Sequence, residues 1–139
     1  MMPENADLAD RLAVQDVIVS YANSIDDRDF ETYRGLFHPE VEFDGFGSEP
    51  IRGVDAWIEF VEKQLEPYRQ TQHLLGPPRV QIDGDKAHMR TDLQAMHFLA
   101  EPKGKIVQIW GAYRSGLARE GGAWLIRTHQ LDVWGTRVA

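Results

Sequence analysis

The stretch YANSIDDRDF, at residues 21–30, decides the fold, because one amphipathic pattern ends within it and a second begins. One stripe of a helix with 3.6 residues per turn holds three apolar residues and a carboxylate, namely Val14, Ile18, Ala22 and Asp26. A carboxylate on an apolar face must find a partner, because an unpaired buried charge is costly. We predict that Asp26 pairs with His73, which lies in a strand predicted further along the chain.

Composition and charge limit the classes of function. The chain has 139 residues, 42% of them hydrophobic, which fits a single domain over 1–139 with a substantial core. The net charge of −7 argues against nucleic acid as a partner. No apolar run approaches the roughly 18 residues of a membrane span, and the start of the chain does not resemble a signal peptide. Without cysteine there is no disulfide or thiolate site, so we expect a cytoplasmic protein with no membrane partner.

Hydrophobic periodicity predicts three helices followed by hairpin-linked strands. The helices are predicted over 7–26, 29–38 and 55–67, with Asp7 and Asp29 as N-caps and with Leu8 and Leu12 on the apolar face of the first helix. The strands are predicted over 41–45, 51–53, 70–75, 79–82, 86–99, 105–119 and 124–134. This order predicts an α+β fold with three N-terminal helices on a mostly antiparallel sheet. Interior glycines such as Gly111 indicate strong bending, so that sheet and helices form a cone with a pocket.

Three of the five histidines, His73, His97 and His129, lie within predicted strands. Strand alternation places His97 on the same face as Leu93. In the last strand, alternation groups His129 with Leu125, Arg127 and Leu131. A structural role is the more common one for any single histidine. Three together on a sheet that forms an apolar pocket favour a small-molecule site.

The absence of other motifs leaves acid–base chemistry as the main prediction. Metal binding by the three histidines and Asp26 is the first rival, but His-x-His and His-Glu-x-x-His are missing, and we predict no metal and no cofactor. Nucleophile-elbow, dinucleotide and P-loop motifs are also missing. An aspartate bound to one ring nitrogen fixes the histidine tautomer and stabilises the imidazolium that forms at the other nitrogen. Tyr21 precedes Asp26 by five residues and is predicted to donate a hydrogen bond to a carbonyl or leaving oxygen.

The motif Tyr-x-x-x-x-Asp-x-x-Asp at the end of the first helix, followed by Leu36-Phe37 and Val41, resembles the SnoaL-like branch of the nuclear transport factor 2-like superfamily. The resemblance extends over nearly the whole chain, from about Leu8 to Trp134. It implies a cone-shaped α+β barrel. The motif indicates the fold and not a particular activity, because this fold carries many activities.

The resemblance also implies roles for individual residues. Asp26 and His73 resemble the dyad of three lyases of the family, hexachlorocyclohexane dehydrochlorinase, scytalone dehydratase and bile acid 7α-dehydratase. This implies that His73 removes a proton while Asp26 orients it. Tyr21 matches a tyrosine of the bile acid enzyme, and His97 falls at about the position where scytalone dehydratase has a second histidine. His129 falls where the dehydrochlorinase has an arginine.

The first hypothesis is a cofactor-free lyase that eliminates water or a similar group β to a carbonyl in a hydrophobic cyclic substrate, such as a steroid, terpenoid or aromatic polyketide. The predicted substrate-binding residues are His97, His129, Trp57, Leu93, Ile109 and Tyr113. The same dyad would serve an isomerase or cyclase. The second hypothesis is a non-catalytic binding or interaction module, in which the pair is a structural hydrogen bond. In either case we expect a homodimer or homotrimer, with residues 131–134 suited to the interface.

Overall fold

The computed structural model describes residues 4–139, with side chains from Asp7 onward. The helices of this part of the chain are α1 (Glu4–Asp26), α2 (Phe30–Arg34) and α3 (Val54–Leu65). Its strands are β1 (Phe37–Asp44), β2 (Ile51–Arg52), β3 (Tyr68–Leu75), β4 (Arg79–Asp83), β5 (Lys86–Leu99), β6 (Ile106–Glu120) and β7 (Ala123–Val138). None of the described helices has the length and apolar character needed to cross a membrane.

The strands form one sheet in the order β2-β1-β7-β6-β5-β3, with β4 also pairing with β5. Only β1 and β7 among these described strands run parallel; every other pair is antiparallel. Side chains from α1, α3 and the inner face of the sheet form one core, whose fully buried members include Val14, Ile18, Val41, Phe43, Trp57 and Ile126. The predicted α+β arrangement of helices on a mostly antiparallel sheet is therefore confirmed.

The first helix differs from the prediction at its N-terminal end. It extends back to Glu4, so Asp7 lies inside the helix and is not its cap. Leu8 and Leu12 are 51% and 53% exposed, and their assignment to the apolar face is wrong. At about 100° per residue, Leu8 and Leu12 lie about 80° and about 120° around the helix from the fully buried Ile18.

The second helix is shorter than predicted. Asp29 caps its N-terminus as predicted, with a carboxylate oxygen that accepts a hydrogen bond from the Thr32 backbone N–H at 3.2 Å. The helix ends at Arg34, however, and Phe37 already pairs with Ile126 of β7. Pro39 is compatible with this strand, because the pairing register shifts between residues 37 and 42 and the missing N–H lies in the irregular part.

The predicted bending of the sheet has a visible cause at Gly111. The β6–β7 register shifts between Trp110 and Gly111. A β-carbon on Gly111 would lie 2.2 Å from the Asp132 carbonyl oxygen, so only glycine permits this approach. Beyond the shift, Val133 and Trp134 are 48% and 59% exposed, within the segment predicted to form an oligomer interface.

Candidate active site

Asp26 is the last residue of α1, and its carboxylate points toward β3. A negative charge at a helix C-terminus is unfavourable, because the backbone carbonyls already concentrate negative charge there. Three donors compensate: the Thr71 hydroxyl to Oδ1 at 2.9 Å, the His73 backbone N–H to Oδ2 at 2.9 Å and His73 Nδ1 to Oδ1 at 2.7 Å. Thr71 and His73 reach the same carboxylate because residues two apart on a strand share a face.

The pair Asp26 and His73 is only slightly accessible, with 17% and 11% of their side-chain surfaces exposed. Burial raises the pKa of Asp26, but the hydrogen bonds from His73 and Thr71 outweigh it, so the pKa lies below its ordinary value. The carboxylate is therefore ionised at neutral pH and can only accept hydrogen bonds. It follows that His73 Nδ1 carries a proton, so Nε2 is the ring nitrogen at which a proton can be taken up.

His73 lines a cavity of about 160 Å³ between the helices and the inner face of the sheet. The other predicted residues on its wall are Tyr21, Trp57, Leu93, His97, Ile109 and Tyr113. The wall is mostly apolar, which is the usual form of a small-molecule site. Asp26 contacts His73 but is not part of this wall.

A larger groove of about 650 Å³ lies on the opposite face of the sheet. Its wall is charged, with Arg79, Arg90 and Arg114 beside Glu42 and Asp44. Neither residue of the Asp26–His73 pair lines this groove. The candidate active site is therefore the smaller, apolar cavity.

Three tyrosines on the cavity wall, Tyr21, Tyr33 and Tyr113, form one aromatic cluster. The ring of Tyr21 lies 5.1 Å from that of Tyr33 and 5.4 Å from that of Tyr113. Burial raises the pKa of each hydroxyl above its ordinary value. All three remain protonated at neutral pH, and Tyr21 shares side-chain hydrogen bonds with Tyr33 and with Tyr113. The cluster can therefore offer a hydroxyl proton to an oxygen in the cavity.

His97 lies next to His73, with 5.9 Å between the ring centroids. Its Nδ1 is 3.2 Å from the Val107 carbonyl oxygen, which can only accept, so Nδ1 is the donor. Burial and the neighbouring His73 lower the pKa of His97. His97 is therefore a neutral imidazole with Nε2 as its free acceptor.

Comparison with known proteins agrees with this architecture. The sequence pattern of the SnoaL-like domain family matches residues 6–130. The chain belongs to the SnoaL-like domain family. It is 32% identical over 89 residues to the uncharacterized protein Rv2910c of Mycobacterium tuberculosis, an alignment that covers 61% of this chain and 58% of that protein. The aligned part of the chain thus spans less than two thirds of the length of this relative.

Several solved structures have the same fold as this chain over nearly its whole length. A candidate scytalone dehydratase of Novosphingobium aromaticivorans has a TM-score of 0.89 at 18% identity, covering 97% of this chain and 91% of its own. The dehydrochlorinase LinA-type3 of Novosphingobium barchaimii has a TM-score of 0.88 at 18% identity, covering 99% and 94%. A candidate aromatic ring hydroxylase of Novosphingobium aromaticivorans has a TM-score of 0.85 at 25% identity, covering 100% and 95%. The predicted nuclear transport factor 2-like fold is therefore confirmed.

His129 is the one predicted substrate contact that the structure does not bring to the cavity wall. The predicted face, shared with Leu125 and Arg127, is wrong, because the β6–β7 register shifts at Arg127 and turns His129 to the same side as Ile126. The ring is 1% exposed, and its Nδ1 lies 2.8 Å from the Ser115 hydroxyl. The rival metal-ligand set is therefore not assembled, and no other group of three suitable side chains occurs in the described residues.

The buried His129 should make the stability of this SnoaL-like protein depend on pH. Burial lowers its pKa from 6.5 to about 3. Between these values the unfolded chain binds a proton that the folded protein excludes, so the free energy of unfolding falls as pH falls. The slope is about 1.4 kcal/mol per pH unit, or about 2 kcal/mol from this group at pH 5. Urea unfolding at pH 7 and pH 5 measures it.

The variant His129→Gln should lose less stability between pH 7 and pH 5 than the unchanged protein. His88→Gln, on the exposed side of β5, controls for removal of a histidine as such. Equal losses in His129→Gln and the unchanged protein would show that His129 is not excluded from protonation in the folded state.

Several cavity residues were not predicted from the sequence. Phe60 and Gln64 follow Trp57 at helical spacing on α3, and this periodicity could have identified them. Phe46 lies in the loop after β1, where no periodicity applies. Its ring reaches the cavity wall by packing edge-on against Trp57 at 4.8 Å.

Proposed function

We propose that this SnoaL-like protein is a cofactor-free lyase that removes a proton and a leaving group from a small, uncharged cyclic substrate. The observation that carries the proposal is that His73, held at Nδ1 by an ionised Asp26, lines an apolar cavity. The basic nitrogen Nε2 is then the free one, as general base catalysis requires. A pair sealed among packed side chains would instead have favoured a non-catalytic module.

The proposed reaction is an elimination β to a carbonyl. Nε2 of His73 accepts the proton from the carbon next to the carbonyl, and Asp26 stabilises the imidazolium that forms. The electron pair of the broken C–H bond forms the new double bond as the C–O bond to the leaving hydroxyl breaks. The proton on His73 then passes to the departing hydroxide, so water leaves and the neutral imidazole is restored.

Two groups of the cavity wall support this assignment. The protonated hydroxyls of Tyr21 and Tyr113 supply donors for the carbonyl oxygen, on which negative charge develops as the proton is removed. The free Nε2 of His97 supplies an acceptor for a substrate hydroxyl. The cavity thus offers donors for a carbonyl and acceptors for a proton and a hydroxyl.

The cavity volume limits the size of the proposed substrate. About 160 Å³ is close to the volume of an engineered protein cavity that binds benzene, about 150 Å³. A substrate with one six-membered ring and a few substituents fits this volume. A four-ring steroid, one of the substrates considered from the sequence, is larger than the cavity in this structure.

Isomerisation is the second candidate, because the same dyad can return the proton to a different carbon of the substrate. The tyrosine donors favour it, since they stabilise an enolate in either reaction. A panel of monocyclic β-hydroxy ketones and β,γ-unsaturated ketones, followed by NMR and mass spectrometry, separates the two. Elimination predicts a product lighter by one water, and isomerisation a product of unchanged mass. No conversion and no binding anywhere in the panel would contradict the proposal.

Replacing Tyr21 or Tyr113 with phenylalanine should reduce kcat by about 10- to 100-fold, because a donor to the developing oxyanion is lost while the ring stays. Substrate binding and the stability of the fold should change little. Tyr68→Phe is the matched control, since Tyr68 packs against His97 at 4.9 Å but does not line the cavity. If all three variants had the same kcat, the carbonyl would not be bound by these hydroxyls.

A further inference from the structure

Arg28 lies just beyond the end of α1 in an uncommon backbone conformation. Its φ is 59°, in the left-handed region that residues with a β-carbon rarely adopt. A left-handed residue here closes the end of the helix, because the Arg28 N–H donates to the Ile25 carbonyl oxygen at 3.1 Å and the Asp29 N–H to the Ser24 carbonyl oxygen at 2.8 Å. In this chain the turn carries the Arg28 side chain back toward Asp26.

The guanidinium of Arg28 makes two contacts through one nitrogen. Its Nη1 donates to the Ile25 carbonyl oxygen at 2.6 Å and to the Thr71 hydroxyl oxygen at 2.9 Å. Its Nη2 is buried and has no hydrogen-bond partner among the described residues. Burial lowers the pKa of Arg28, while the charge of Asp26 opposes this change. The cation is therefore held in a partly desolvated place, next to the carboxylate of the dyad.

These contacts fix the direction of every hydrogen bond around Asp26. A guanidinium only donates, so the Thr71 oxygen accepts from Arg28. The Thr71 hydroxyl proton is then free to point to Asp26 Oδ1, which is 2.9 Å away. The result is an ordered relay from Arg28 through Thr71 to Asp26, which His73 meets from the other side at 2.7 Å. Thr71 is 1% exposed, so water does not compete for its hydroxyl.

We propose that Arg28 and Thr71 are positioning residues that orient the Asp26 carboxylate and limit how strongly it draws a proton onto His73. An aspartate alone stabilises the imidazolium, so it also favours the protonated form of the base, which cannot accept a proton. A cation on the far side of the carboxylate opposes that protonation. This role rests on the proposed function of the dyad, but its effect on the His73 ring can be measured without a substrate.

Other charged and titratable groups also face the dyad, and the test must keep them in place. They are His97 on β5, Tyr21 on α1, Tyr33 on α2 and Tyr113 on β6. None of them is changed in the variants below. A change in the titration of His73 therefore reports on the relay itself.

The main test is a pH titration of the His73 ring by NMR, with its signals assigned by comparison with a His73→Gln protein. In Arg28→Gln the titration midpoint should rise by about one pH unit, a tenfold gain in proton affinity, because a nearby cation is removed. Arg28→Lys should restore most of the original midpoint. Arg69→Gln removes a cation from an exposed position on the same strand as His73 and should leave the midpoint unchanged.

Thr71 gives an independent test in case Arg28→Gln does not fold. Thr71→Val breaks the relay and should raise the His73 midpoint in the same direction, whereas Thr71→Ser keeps the hydroxyl and should not. A His73 midpoint that stays within 0.3 pH units in both Arg28→Gln and Thr71→Val, in folded proteins, would overturn the inference. If the midpoint shifts as expected but no turnover is found, the relay stands and the proposed lyase function fails.

Discussion

Changing His73 to alanine or Asp26 to asparagine should reduce kcat by about 10³-fold or more, because each change removes the general base or its orientation. His73→Ala removes the proton acceptor. Asp26→Asn keeps the shape of the side chain but loses the charge that stabilises the imidazolium and fixes the Nδ1–H tautomer. Both effects act on the chemical step, so KM should change much less than kcat. Steady-state kinetics on the substrate identified from the ketone panel gives both quantities.

Asp27→Asn is the matched control for this prediction, because Asp27 is the exposed neighbour of Asp26 and lies outside the cavity. It makes the same chemical change one residue away, and its kcat should stay close to that of the unchanged protein. Thermal unfolding should show that all variants remain folded. If His73→Ala or Asp26→Asn retained near-normal turnover, the dyad would not be the catalytic base.

The need of Asp26 for a partner could be predicted from the sequence pattern, whereas the choice of His73 among the strand histidines rested on the family resemblance. Helical periodicity places Asp26 on the buried stripe of α1, and burial of a charge requires a partner. The structure supplies that partner at 2.7 Å. The same periodicity failed for Leu8 and Leu12, because apolar character alone does not show which face of a helix meets the sheet.

Other parts of the site depend on departures from regular helix and strand geometry. Such departures cannot be predicted from the periodicity of the sequence. The register shift at Arg127 reverses the face on which His129 is expected, and strict alternation assumes that no such shift occurs. Phe46 reaches the cavity from a loop. Arg28 joins the site through a left-handed turn, although its place two residues after Asp26 in the sequence gave no sign that the side chain would turn back.

The cavity volume could not be predicted from the sequence either, because the cavity is the small space left between large side chains. About 160 Å³ remains where α3, the loop after β1 and the sheet meet. A change of one rotamer in the wall would alter this volume by a large fraction. Residue types alone therefore predicted an apolar cavity, but not its volume.

Trp57→Ala should lower the free energy of unfolding by about 3–5 kcal/mol, the usual cost of removing a large aromatic side chain from a core. Trp57 is 2% exposed and stacks on Phe43 with 3.7 Å between ring centroids. Its Nε1 donates to the Tyr33 hydroxyl at 3.0 Å. The substitution removes the stacking and this hydrogen bond together, and it opens one wall of the cavity. Urea unfolding followed by circular dichroism measures the loss.

Trp57→Phe divides this effect into its parts. The smaller ring keeps most of the contact with Phe43 but has no N–H, so the loss should be about 1–2 kcal/mol, the cost expected for a buried hydroxyl that loses its partner. The difference between the two variants is then the contribution of aromatic packing. Because Trp57 forms both the core and the cavity wall, Trp57→Ala should also bind two-ring ketones that the unchanged protein excludes. A loss below about 1 kcal/mol in Trp57→Ala would mean that α3 is not anchored to the sheet through this residue.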